Sequence, residues 1–300
     1  MNFYKKIVRN QNTRFKLLGL LKWVPDKTMI KIQYRMKTGR KLNINKPKRY
    51  TEKIQWYKLY YKNPIFTQCA DKYRVRKYVR SKGLGDILNR LYGVYENIEE
   101  INFDKLPKKF VIKTINGSGT NIFCKDKDNL DIDYVNKRLK NFFMRSSVSA
   151  GREWCYYNIS QKIIIEEFLE DENNPGKSIN DYKFLCFNGQ VKYIVLDVDR
   201  FTNHKRNFYD VNWKYLKVDS DCSTYGDIVK KPAALEDMID VANKLAEKLP
   251  AVRVDLYWVN GRIYFGEMTF YPWSGYVNFN PDEFDFVLGN EFELPNSILA

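Results

Sequence analysis

The amino-acid sequence predicts an α+β fold, on three observations. Strand-type runs return on themselves through short turns, two of them at Asn-Gly pairs, Asn188-Gly189 and Asn260-Gly261. Helical stretches (51–91, 131–146 and 233–249) are segregated from those strands rather than alternating with each one. No series of apolar strands separated by crossover helices is present, which argues against a doubly wound parallel sheet.

In chain order, residues 1–50 mix basic side chains with Phe3, Tyr4, Ile7, Phe15, Leu17, Leu18, Leu21 and Trp23, a pattern expected of a basic amphipathic helical segment. Thr51 is expected to cap a helix over 51–60, and a second helix is expected over 71–81. After Pro107 the pattern changes: 109–115 reads as a strand, 116–121 as a turn and 122–125 as the returning strand. Residues 131–146 read as a helix. Residues 162–169 form an apolar strand that carries Glu166 and Glu167 near its end. Two hairpins follow, turning at the Asn-Gly pairs, with a helix over 233–249 between them. The expected organisation is a basic segment (1–50), a helical region (51–105), a smaller α+β subdomain (106–170) and a larger one (171–300).

The 300 residues hold 51 Lys and Arg against 36 Asp and Glu, a net charge of +15. Residues 1–50 hold fifteen basic residues and one acid, Asp26, while the remaining 250 hold 36 basic and 35 acidic residues. A nearly neutral body excludes a uniformly basic nucleic-acid-binding protein, and no nucleic-acid partner is expected. With 44% apolar and 16% aromatic residues, the chain is not disordered. The best apolar stretch, 15–24, is interrupted by Lys16 and Lys22 and lacks a small-residue cleavage site. A cytoplasmic location is therefore expected, with 1–50 available to contact the anionic inner face of a membrane. Five scattered cysteines and a single histidine, His204, make neither a zinc site nor a Ser-His or Cys-His nucleophile.

Chemistry concentrates in three places. In the hairpin around Asn260-Gly261, a two-residue turn would put Asp255 and Glu267 on opposite faces of the sheet. A three-residue loop, 259–261 with Gly261 left-handed in a bulge, instead groups Arg253, Asp255, Glu267 and Thr269 on one face. It leaves Val254, Leu256, Trp258, Tyr264, Gly266, Met268 and Phe270 on the other. The bulged turn is therefore the expected one. Two carboxylates beside an arginine suit a hard cation with phosphate nearby. Next, Lys113 and the loop Asn116-Gly117-Ser118-Gly119-Thr120 offer a point charge and closely approachable backbone N–H groups to phosphate oxygens. Third, the apolar strand through Glu166 to Leu169 emerges into exposed backbone able to take an adenine edge and a ribose. A competing signal is the D-x-D of Asp197 and Asp199, a metal and sugar-nucleotide pattern of many glycosyltransferases.

Taken in order, these parts resemble the ATP-grasp superfamily. The segments Thr51–Trp56, Ala70-Asp71-Lys72-Tyr73, Gly151-Arg152-Glu153-Trp154, Asp181-Tyr182-Lys183-Phe184 and the long run 199–210 narrow the resemblance to the TupA-like ATP-grasp family over roughly 45–295. That resemblance implies two α+β subdomains gripping ATP, preceded here by the basic helical segment. It implies an ATP- and Mg2+-dependent ligase that joins a carboxylate to an amine through an acyl phosphate, in synthesis of cell-surface polysaccharide. Implied partners are an anionic polysaccharide or lipid-linked glycan and an amine such as an amino acid.

Residue by residue, Lys113 is implied at the α- and β-phosphates, with Gly117, Ser118 and Gly119 over the β- and γ-phosphates. Glu166 is implied near the adenine amino group, Leu169 at the ring through its backbone, and Asp171 or Glu172 at the ribose. Lys183 is implied as a second nucleotide lysine. Asp255 and Glu267 are implied as metal ligands, joined by Thr269 where many relatives have asparagine. Arg253 would steady the transferring phosphoryl group. His204 and Arg206, in the basic 200–209 run, are the candidates for acceptor contacts, with Arg152, Trp154 and Trp273 as possible additions.

Overall fold

In the computed structural model, which describes residues 11–117, 119–146, 150–226 and 228–295, the chain divides into two units: 25–63 with 170–295, and 11–24 with 64–169. Helix α1 (Gln11–Leu20) belongs to the second unit, whereas α2 (Asp26–Thr38) and α3 (Tyr50–Tyr60) belong to the first.

The 64–169 unit continues with α4 (Ile65–Ala70), α5 (Val75–Ser81), strands β1 (Leu91–Tyr95), β2 (Phe110–Thr114) and β3 (Asn121–Cys124), helix α6 (Ile132–Ser146) and β4 (Ile163–Glu167). Its four strands form one antiparallel sheet in the order β1-β4-β2-β3. Phe110, Ile112, Ile163 and Ile165 alternate onto one face and pack with Val135, Leu139 and Phe142 of α6. The period-2 and period-3.6 stripes that predicted these elements thus meet in one core.

The other unit holds β5 (Asp181–Phe187), β6 (Gln190–Val198), β7 (Lys205–Asp210), β8 (Tyr215–Leu216), α7 (Leu235–Ala246), β9 (Ala251–Val259), β10 (Arg262–Thr269) and α8 (Glu283–Glu291). Its sheet is antiparallel, ordered β10-β9-β5-β6-β7-β8. Helix α7 buries Leu235, Met238, Ala242 and Leu245 at helical spacing, with Glu236 and Asp237 in its first turn and Lys244 in its last, as the helix dipole favours. It lies against β5, β6 and β9, and Cys186 of β5 reaches the Ala242 carbonyl at 4.0 Å. Tyr182, Phe184 and Cys186 therefore face the helix, which leaves Asp181 and Lys183 on the opposite face.

Four expectations change. Between the two helices expected within 51–91 lies a third, α4, and the strand β1 begins at Leu91. Helix α3 starts at Tyr50, so Thr51 lies inside it. The Thr51 hydroxyl bonds Asp285 (2.8 Å) and Tyr34 (2.9 Å), while Glu52 accepts backbone N–H groups of Asn43, Lys48 and Arg49. Asp71 precedes α5 rather than opening it, bonding the N–H groups of Tyr73 and Arg74.

Finally, the described part of the basic segment, 11–50, is divided between the two units. Helix α2 buries Met29, Ile30, Gln33 and Tyr34, and Ile30 and Tyr34 pack with Leu42, Ile44 and Tyr276. Each such side chain contributes about 1.5–3 kcal/mol, so 25–50 is part of the body of its unit. Helix α1 is tied to its own unit by Arg152, which donates to the carbonyls of Leu21 (2.6 Å) and Val24 (3.0 Å). The first ten residues lie outside the described ones. No helix among the described residues is long and apolar enough to cross a membrane.

Candidate functional site

In the 64–169 unit, β2 and β4 pair so that Val111 faces Glu166 and Lys113 faces Ile164. Lys113 Nζ reaches Glu166 Oε2 at 2.7 Å, and Arg76 Nη1 takes Glu166 Oε1 at 3.1 Å. Arg76 is itself held by Asn89, through the side chain at 3.0 Å and the carbonyl at 2.6 Å. Burial pushes the Glu166 carboxyl up, but Lys113 and Arg76 more than offset this, so it titrates below the ordinary glutamate range. Its stabilising contribution is complete above roughly pH 5 and is lost as pH falls through the ordinary glutamate value toward the depressed one. Glu166→Gln is therefore expected to lower the melting temperature at pH 7, by a gap that narrows as pH falls below the ordinary glutamate value; a constant gap would refute the assignment.

The loop joining β2 to β3 has Gly117 and Gly119 left-handed, at φ 89° and 69°. Space around Gly119 is open. Lys72 Nζ donates to the Gly117 carbonyl at 2.6 Å. Asn116 Oδ1 and Thr120 Oγ1 are buried and, among the described residues, have no hydrogen-bond partner. Buried polar atoms left unpaired are costly, and at a ligand loop they mark positions a ligand would satisfy. Ser118 lies outside the described residues.

In the other unit a charged row crosses five strands. The register sets Asp181 opposite Asp197, Asp197 opposite Arg206, Lys183 opposite Asp255, and Asp255 opposite Glu267. Lys183 Nζ bonds Asp181 (2.6 Å) and Asp255 (2.7 Å). Arg253 grips both oxygens of Asp255 (2.6 and 2.8 Å), and its Nη2 also reaches Glu267 (2.9 Å) and Thr269 (3.1 Å). Burial pushes the Asp255 carboxyl up, against the pull of Arg253 and Lys183. Burial lowers Arg253, but Asp255 and Glu267 raise it above its ordinary value. Arg200 adds a contact to Asp181 at 2.5 Å, whose Oδ1 has no hydrogen-bond partner among the described residues.

The shared face of Arg253, Asp255, Glu267 and Thr269 is as expected, but the bulge that produces it is elsewhere. The turn is the two-residue one: Val259 pairs with Arg262, and both Asn260 (φ 52°) and Gly261 (φ 75°) are left-handed. Pairing runs normally to Phe265 opposite Leu256, then slips one residue at Gly266 so that Glu267 meets Asp255. A Cβ at Gly266 would stand 2.9 Å from the Asp255 carbonyl oxygen, so glycine lets the bulge close against β9. Phe265, not Tyr264, consequently joins Leu256 and Val254 on the apolar face.

Arg206 holds Asp197 through Nε (2.6 Å) and Nη2 (3.1 Å) and reaches Asp221 at 2.5 Å. Its guanidinium stands 5.6 Å from the centre of the Trp273 ring. His204 Nε2 lies 3.1 Å from Asp197 Oδ1 without hydrogen-bond alignment. Burial raises Asp197, but Arg206 and Lys183 hold it below the carboxylate range. Asp199 lies beyond β6 at φ 49°, so the D-x-D does not continue along the strand. Trp273 and Ser274 are consecutive left-handed residues, at a cost of about 1–2 kcal/mol each. Donors from Gln55 and Lys58 to the Ser274 carbonyl (3.1 and 2.8 Å) hold that turn.

Asp171 engages its own loop, accepting from Asn173 N and Asn174 Nδ2, while Glu172 N donates to Asn260 Oδ1. Leu169 ends the 64–169 unit. Trp154 stacks on Phe66 at 5.9 Å, and Arg152 serves α1 as described, so both have structural partners.

Sequence reasoning missed Arg76, and it placed Asn116 and Thr120 in the phosphate loop, Asp181 in a motif and Arg200 in the basic run without a role for their side chains. For Asp181 a signal existed: Asp181-x-Lys183 carries the same alternation as Arg253-x-Asp255, which places charge on one face of each strand.

The donor set fits a hard divalent ion. Oxygens of Asp255, Glu267 and Thr269 converge on one cationic nitrogen of Arg253. Among the described residues no group of three or more His, Cys, Asp and Glu forms a metal cage by itself. Magnesium characteristically takes one or two carboxylates and completes its shell with phosphate and water.

The family model described as TupA-like ATPgrasp matches residues 52–293. No curated protein sequence matches the chain. Among solved structures it is similar to D-alanine–D-alanine ligase from Bacillus anthracis, with 21% identity and a TM-score of 0.41 over 67% of this chain and 56% of that one. It is also similar to D-alanine–D-alanine ligase from Helicobacter pylori (17%, TM-score 0.40, 76% and 61%). A third is phosphoribosylamine–glycine ligase from Thermotoga maritima (13%, TM-score 0.39, 68% and 48%). The chain spans less than two thirds of the length of each. Both charged constellations lie inside the matched span, and the chain belongs to the TupA-like ATP-grasp family.

Proposed function

We propose that the protein is an ATP- and magnesium-dependent ligase that joins a uronic-acid-type carboxylate to an amine, such as an amino acid, in synthesis of bacterial capsular or other cell-surface polysaccharide. The acceptor is a polymeric or lipid-linked anionic glycan. The observation that carries this reading is the oxygen set of Asp255, Glu267 and Thr269 around Arg253, in a chain that also presents Lys113 beside a glycine loop with unpaired Asn116 and Thr120.

The chemistry needs no side-chain nucleophile. A carboxylate oxygen of the acceptor attacks the γ-phosphorus of ATP, the P–O bond to ADP breaks, and an acyl phosphate forms. The amine nitrogen then attacks the acyl carbon, the C–O bond to phosphate breaks, and phosphate leaves as the amine gives up a proton. Lys113 and the loop amides of Gly117 and Gly119 bind phosphate oxygens, and Glu166 aims Lys113 while Arg76 fixes Glu166. Leu169 offers its backbone to the adenine, and Asp171 or Glu172 takes the ribose. Arg253 and Lys183 balance charge that grows on the transferring group. Magnesium, held by Asp255, Glu267 and Thr269, would add positive charge at the phosphates. His204 and Arg206, with Trp273 against the guanidinium, form the acceptor side.

The glycosyltransferase reading has less support, because Asp197 is already bonded to Arg206 and Asp199 lies past the strand. The test offers purified protein ATP, magnesium, uronic-acid oligosaccharides and an amino-acid panel. ADP release that requires both carboxylate and amine, with an amide in the product, is the expected result. Thermal stabilisation by a UDP-sugar and none by ATP would overturn the ligase reading.

A further inference from the structure

Helix α1 exposes an apolar stripe. Leu17 is 41% exposed and Leu20 72%, and just beyond the helix Leu21 is 38% and Trp23 79% exposed. Phe15 and Leu18 are half-buried and lie on the opposite stripe, on a helix that rests against α6. At about 100° per residue, Lys16 and Arg14 flank the Leu17–Leu20 stripe on its two sides. Residues 1–24 contain six lysines and arginines and no acid. Helix α6 exposes Lys137 and Lys140.

We propose that α1 is a peripheral docking surface for a bilayer rich in anionic lipid. Three leucines and a tryptophan are an uncovered apolar area that a monomer leaves in water at a cost, and basic residues on both flanks specify a negatively charged occupant. Long basic side chains keep their heads among lipid phosphates while the stripe enters the acyl boundary. A tryptophan next to a lysine suits that boundary because the indole is apolar in body and polar at its N–H. An anionic polysaccharide would match the charge but offers nothing for four apolar side chains. None of these residues is among those assigned to the nucleotide or the metal, so the proposal stands or falls independently of the ligase reading.

The test is co-sedimentation of the full chain with vesicles of phosphatidylcholine alone and of phosphatidylcholine mixed with phosphatidylglycerol. Wild-type protein is expected on the mixed vesicles and not on the neutral ones, with binding that declines as salt rises. Each of Leu17→Glu and Leu20→Glu is expected to weaken binding about ten-fold or more, with unchanged melting temperature because both sites face solvent. Equal binding of wild type and Leu20→Glu would overturn the proposal, as would no binding to the mixed vesicles. Full competition by polygalacturonate, with Leu20→Glu binding as well as wild type, would reassign the charge to a polymer. As a second readout, brominated lipid is expected to quench tryptophan emission in the wild type and much less in Trp23→Phe; equal quenching would also refute it.

Discussion

Glu267→Gln is expected to lower magnesium-dependent ADP formation by about 10²–10³-fold, the usual cost of removing one electrostatic group from a charge-stabilising site. The variant is informative because Glu267 is only partly buried, with a side-chain exposure of 34%. In the proposed metal site the change removes the negative charge of one ligand, while Arg253 keeps Asp255 as its partner at 2.6 Å, so stability should barely change. Asp255→Asn should be as inactive but also less stable. Asp255 is 1% exposed and is held by both Lys183 and Arg253, and removing one member of a buried charge group costs about 3–5 kcal/mol. Steady-state ADP release read beside melting temperature separates the two. A fully active Glu267→Gln enzyme would remove Glu267 from the metal site.

Gly266→Val is expected to cost about 1–3 kcal/mol and to lose most of the activity, whereas Gly261→Asn is expected to be nearly silent. The contrast follows from local geometry. A side chain at Gly266 would meet the Asp255 carbonyl at 2.9 Å and Tyr257 at 3.1 Å, so β10 must move away from β9 and carry Glu267 with it. At Gly261 nothing lies within 4 Å, and asparagine tolerates the left-handed turn. Had the bulge been in the turn, Gly261 would be the sensitive position. Melting curves and turnover of the two variants decide between these arrangements, and a silent Gly266→Val would contradict the register.

Much of this is legible in the sequence. The apolar alternation of β2 and β4, the Asn-Gly turns, the stripe of α7 and the sharing of one face by Arg253, Asp255, Glu267 and Thr269 all follow from side-chain period. Strand β1 was less legible because Leu91–Tyr95 is half-buried along its whole length and shows no alternation. The structural duty of Arg152 was invisible, because its partners are backbone carbonyls more than a hundred residues away.

The sequence by itself determined the α+β class, the family and which residue types carry charge at the site, because these depend on local pattern and motif. Tertiary structure alone decided three things. The register slip sits at Gly266, where β10 approaches the β9 backbone too closely for a side chain. Lys183 and Asp255 became partners through pairing of β5 with β9, strands distant in sequence. The +14 front end was divided, since burial of Ile30 and Tyr34 makes α2 part of a core while Leu20 and Trp23 of the preceding segment remain in water. Charge and hydropathy along a chain state what a segment would favour, and only packing states which neighbour it finds.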